Sequence, residues 1–172
     1  MTELFANYPK KFKVSTQHAE DYYLLQKGIY AIHGEIPAPC KSAVVATIEE
    51  GKLVICKGIP DELPPSVDRN TICPVYALQS SGPLAVPSGR ILVRFADNIT
   101  AVSHKEAFQR IGYIIDQELS YAPQALWVKS ANGNIAFALN NISLLEAQSY
   151  VENVEAQMLM ESVRRSSNSR LL

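Results

Sequence analysis

Three observations predict a mixed α+β fold. Between Arg90 and Leu159 the apolar pattern reads strand, helix, strand, strand, helix, strand. Residues 21–86 read almost wholly as strands and turns. Small residues, Gly and Pro from Ser80 to Gly89 separate the two stretches. The first order is the split βαβ arrangement. It predicts a C-terminal ferredoxin-like βαββαβ domain, with two helices on one face of a four-stranded antiparallel sheet. The division is an N-terminal arm (1–20), a mostly-β domain (21–86), the ferredoxin-like domain (87–161) and a flexible tail (162–172).

The arm is polar and carries Lys10, Lys11 and Lys13, so it reads as a loose terminus or a short first helix. Tyr22–Leu25 and Gly28–Ile32 are β-branched and aromatic, with Gly28 as a bulge candidate. Pro37 and Pro39 interrupt the ladder. Ser42–Ile48 and Leu53–Cys56 form a hairpin in which Gly51 supplies the positive φ of a tight loop. A Pro-rich loop over 58–70 leads to a strand over 72–78, which Pro74 places at a sheet edge or makes begin after the proline.

In the second half, Arg90–Ala96 alternates, with Ile91, Val93 and Phe95 on one face. Ser103-His104-Lys105-Glu106 has the capping-box form and opens a helix carrying Ala107, Phe108 and Ile111, which Gly112 ends. Tyr113–Leu119 and Ala125–Ser130 are strands around a turn at Pro123. Asn134 is an N-cap candidate for a helix with Ile135, Ala138, Leu139 and Ile142 on one face, ending before Leu144. Val151–Leu159 is the last strand.

Composition narrows the function classes. Of 172 residues, 47% are apolar and 19% charged, which is globular rather than disordered. Sixteen basic residues meet seventeen acidic ones, for a net charge of -1. That balance argues against a general nucleic-acid binder, which displaces counterions with a basic surface, and against a polybasic membrane-surface protein. There is no transmembrane-length apolar run and no secretory signal, so a cytoplasmic location is expected. Cys40, Cys56 and Cys73 are read as three reduced, buried thiols, not a disulfide framework or a metal site.

Catalytic and cofactor motifs are absent, so neither an enzyme nor a cofactor is expected. The sequence has no glycine-rich phosphate loop and no nucleophile elbow. Glu49 and Glu50 are neighbours in a turn and point apart. Glu152 and Glu155 fall on opposite faces of a strand. His104 reads as surface, and Trp127 as packing within its strand. No RNA-binding aromatic signature accompanies the predicted fold.

Four stretches bear on function. They are Arg90–Phe95, Ala107–Gln117, Ala125–Val128 with the following helix, and the final Val151-Glu152-Asn153-Val154-Glu155-Ala156-Gln157. Together, over about half the chain, they resemble the propeptide domain of subtilisin-like serine proteases. The sequence lacks the Asp, His and Ser signatures of the catalytic domain. The resemblance implies a protein that binds a separate subtilisin-type protease through its sheet and a C-terminal tail, as inhibitor or folding chaperone. By position, Glu155 would face the N-termini of the protease helices and complement their dipoles. Gln157, Met158, Leu159, Met160, Glu161, Ser162 and Val163 would run on as a product-like strand in the cleft. Met160, or its neighbours Met158 and Leu159, would fill the apolar pocket there. Two other readings stand beside it. One is a binding or self-assembly module, giving a homo-oligomer through exposed sheet edges. The other is a small-molecule sensor with its site between the halves.

Overall fold

A computed structural model describes residues 3–160. The elements are β1 (Lys11–Lys13), β2 (Tyr22–Leu25), β3 (Ile29–His33), β4 (Val44–Ile48), β5 (Leu53–Lys57), β6 (Ile72–Cys73), β7 (Tyr76–Leu78) and β8 (Leu84–Phe95). They continue with α1 (Lys105–Arg110), β9 (Tyr113–Glu118), β10 (Ala125–Ser130), α2 (Ile135–Asn140), α3 (Ile142–Glu146) and β11 (Val151–Met160), with short 3₁₀ turns between.

The expected ferredoxin-like βαββαβ domain is not what forms. The protein is mostly β, 39% strand against 24% helix, and its main feature is a curled antiparallel sheet. That sheet has seven strands in the order β1-β2-β7-β8-β10-β9, with β11 on the other edge of β8. The physical reason is β8, which is twelve residues long. Its C-terminal part pairs with β10 through Ile91–Arg94, while Leu84 and Ala85 pair with β7. The sheet therefore runs on into the N-terminal half, and the expected division at 86/87 falls inside its longest strand. Pro87 and Gly89 suggested a linker, but they sit where β8 bulges against β11, a place where such residues are tolerated.

The curl nearly closes. Phe12 alternates with Lys11 and Lys13, and its buried ring meets Tyr23 and Tyr76 inside the sheet. The arm therefore holds a strand rather than a loose end. Just beyond β1, Ser15 bridges Glu155 on the outer edge of β11. The Thr16 amide donates to the Val154 carbonyl (3.1 Å), and the Val154 amide donates to Thr16 Oγ1 (3.0 Å). Thr16 Oγ1 also donates to Glu146 Oε2 at 2.7 Å, and Lys13 Nζ lies 2.6 Å from the same oxygen.

A second sheet has the order β4-β5-β3-β6. The hairpin forms as expected, with Gly51 at φ +89°. Pro74 does more than mark an edge. It separates β6, in the second sheet, from β7, in the first, so the chain changes sheets there.

The main core joins Ile91, Val93 and Phe95 of β8 to Phe108, Tyr113, Leu126, Leu139 and Leu145. Asn134 caps α2, accepting from the Phe137 amide at 2.9 Å. The capping box does not form. A 3₁₀ turn begins at Ala101, so Ser103 lies inside it and its hydroxyl donates to the Thr100 carbonyl. The helix after Asn134 is broken at Asn141, and α3 then buries Leu145. Gly112 ends α1 at φ +91°, and a Cβ there would lie 2.7 Å from the Phe137 ring.

Candidate protein-binding face

The side chains of β8 alternate between two faces. Those pointing away from the helices are Leu84, Val86, Ser88, Arg90, Leu92 and Arg94. The second sheet covers the first part of this outer face. Val86 packs with Ala31, Leu53, Ile55 and Val75, and Leu84 and Leu159 pack against the same cluster. From Ser88 onward no element among the described residues covers it.

Four strands present this open part. Glu155 is opposite Leu92, Leu92 opposite Trp127, and Trp127 opposite Gln117, giving one transverse row on one face. A bulge at Trp127/Val128 leaves Asp116 as the extra residue of β9, and its carboxylate reaches across the face. Arg90 Nε lies 2.8 Å from Asp116 Oδ2 and Lys129 Nζ lies 3.1 Å from Oδ1. The Arg90 Nε–H is not aimed at the carboxylate, so that contact is coulombic rather than a hydrogen bond. Arg90 Nη2 donates to Gln117 Oε1 at 2.6 Å, and the guanidinium carbon stands 4.7 Å from the centre of the Trp127 ring. Arg94 pairs with Glu152 at 3.6 Å.

The face is thus an ordered mixture: half-buried Leu92 and Trp127, three basic groups (Arg90, Arg94, Lys129) and the acidic Asp116 and Glu155, while Glu152, expected on the opposite face from Glu155, reaches Arg94 from a bulge between Val151 and Asn153. Trp and Arg are the residue types most enriched in the energetic centres of protein interfaces. Arg90 is already held by an ion pair, a hydrogen bond and a ring, so docking costs little further side-chain entropy.

The residues expected to bind protease divide three ways. Glu155 is exposed on the open face, and Gln157 accepts from Ser88 Oγ at 2.7 Å beside it. Met158, Leu159 and Met160 are half-buried in the protein's own sheet, opposite Pro87, Val86 and Ala85. Met158 and Met160 pack against the main core, and Leu159 packs between the sheets. Glu161, Ser162 and Val163 lie outside the described residues. Sequence reasoning missed the cluster of Arg90, Asp116, Gln117 and Trp127. Trp127 does pack, but under Arg90 on the open face rather than in the core. The one available signal was the alternation of Arg90 and Arg94 with a buried apolar set.

The three thiols are free and buried. Burial pushes the Cys73 thiol up to about 12, and the Cys56 thiol is raised mainly by burial as well. Among the described residues no group of three or more His, Cys, Asp or Glu could hold a metal ion, and no helix is long and apolar enough to cross a membrane. Comparison with protein-family models, with curated proteins and with solved structures finds no match to this chain.

Proposed function

We propose that the chain is a non-enzymatic protein-binding module that docks through the open face of β8, β9, β10 and β11, with a subtilisin-type serine protease as its partner. The observation that carries this reading is the change along one sheet face, apolar and covered at Leu84 and Val86, then uncovered and led by an ordered Arg90–Trp127 pair. The mixed charge suits a protein surface better than a phosphate backbone. Glu155 stands exposed at one end of the row, where it can meet a helix N-terminus. The resemblance of these strands to subtilase propeptides selects the protease. Met158–Met160 are committed to pairing with β8, so they are not the residues that would enter the cleft. Buried thiols, two of them (Cys56 and Cys73) with pKa values raised by burial, fit a binding role and a reducing, cytoplasmic setting better than nucleophilic catalysis.

The test is inhibition of a panel of subtilisin-type proteases by the full chain and by a chain ending at Met160. Inhibition by the full chain, lost on truncation while binding persists, is the expected result. A full chain that neither binds nor inhibits any of the panel removes the protease from the proposal.

Self-assembly has one observation in its favour. Among the described residues β4 pairs only with β5, and Val45 on it is 53% exposed. Sedimentation of the wild type and Val45→Lys separates the two: a dimer that Val45→Lys converts to monomer favours assembly.

A further inference from the structure

A cavity of about 600 Å³ lies between the N-terminal segment, β2 with the turn after it, and Ile59, and shares no lining residue with the open face. Its apolar wall is made by Phe5, Tyr8, Leu24, Leu25 and Ile59. Leu24 and Leu25 belong to β2 of the main sheet, and Ile59 follows β5 of the second sheet. Lys10 and Lys27 also line it, and the lining contains no carboxylate. Among the described residues neither lysine is in an ion pair.

The walls are tied together before anything binds. The amides of Glu3 and Leu4 donate to the Asp61 carboxylate at 2.8 and 3.2 Å, joining the N-terminal turn to the segment after Ile59. The Leu25 amide donates to the Lys10 carbonyl at 2.9 Å, and Tyr76 Oη donates to the Pro9 carbonyl at 2.7 Å. Ile59 nonetheless stays 46% exposed at the rim, an apolar side chain left in water. A pre-formed apolar cavity with a few convergent polar groups is the usual form of a small-molecule site, and its volume is in the usual range.

The chemistry of the lining selects the occupant. The wall favours an apolar body, and two unpaired ammonium groups favour one negative charge on it. We propose that this cavity binds a medium-chain fatty acid or an apolar monocarboxylate of similar size, its carboxylate met by Lys10 and Lys27. Such a ligand binds only the folded chain, where the N-terminal segment, β2 and Ile59 come together, so it raises the melting temperature of the protein.

The experiment is calorimetric titration and thermal melting of the full chain with decanoate, and with 1-decanol at the same concentration below micelle formation. Decanoate is expected to bind saturably, one per chain, at least about tenfold tighter than the alcohol. The double variant Lys10→Gln/Lys27→Gln is expected to melt like the wild type and to lose that preference. Ile59→Trp, which fills the rim from an exposed position, is expected to abolish binding of both. Absence of saturable decanoate binding, equal binding of the alcohol, or undiminished preference in the double lysine variant overturns the proposal.

Discussion

Two halves of one sheet face, on one strand, have opposite fates. At Leu84 and Val86 the outer face of β8 is apolar, and a second sheet covers it. From Ser88 to Arg94 the same face carries two arginines and is open. The difference shows how this sequence limits its own core. Val86 is 0% exposed, and burying such a side chain stabilises by about 1.5–3 kcal/mol. A buried arginine without a full set of partners costs more than that, so the covering sheet ends where the arginines begin. The open half keeps its groups ordered through mutual contacts, at a gain typical of exposed pairs and cation–π contacts, roughly 0.5–1 kcal/mol each. The covered half carries stability, and the open half is the surface proposed for recognition.

The largest test of that contrast is Val86→Asp. A carboxylate placed between the sheets finds no partner there, and stability should fall by about 4 kcal/mol or more in urea unfolding. A loss under 1 kcal/mol would mean that the covering sheet does not seal this half. Next, ending the chain at Gln157 removes Met158, Leu159 and Met160 from the ladder with β8. Three half-buried side chains at about 1 kcal/mol each predict a loss of roughly 3 kcal/mol relative to a chain ending at Met160. Equal midpoints would show that these residues are a tail rather than a strand.

Thr16→Val is a smaller probe, at the border of the open half. It removes the hydroxyl that donates to Glu146 and accepts from Val154, and should cost about 1 kcal/mol. Hydrogen exchange at the Val154 amide should quicken with it.

The smallest effect is a pH dependence in the covering sheet. His33 of β3 has its pKa lowered by burial, with Glu49 acting in the opposite sense, and its Nε2 finds no partner among the described residues. A base whose folded pKa is depressed is protonated more readily in the unfolded chain. Stability is therefore full above the ordinary value of 6.5 and falls as pH drops from there toward the folded pKa. His33→Gln should flatten that part of the stability profile, and an unchanged slope would assign it to other groups.

Local features were legible in the sequence where they depend on neighbours in the chain. The β4–β5 hairpin followed from alternation and Gly51, and the α2 cap from Asn134. Sheet membership was not, because it depends on distant partners. Phe12 between lysines gives no hint that it meets Tyr76, and Pro87 with Gly89 disguises a twelve-residue strand as a linker. The ferredoxin-like expectation failed there: the order of elements was right, but β7, β2 and β1 extend the same sheet. In the candidate site, the family resemblance pointed to Glu155 and Gln157, and the fold places both at the open face. The Arg90–Asp116–Trp127 cluster was hidden because it needs three strands and a bulge to assemble.

The most direct measurement compares Trp127→Ala with the wild type, both in urea unfolding and in binding to an inhibited subtilisin-type protease. If the open half serves recognition, the variant should stay within about 1 kcal/mol of wild-type stability yet bind about thirtyfold more weakly, the loss of one interface anchor worth about 2 kcal/mol. A variant that binds as well as the wild type, or one that loses stability as Val86→Asp does, would contradict the division of the face into a structural half and a binding half.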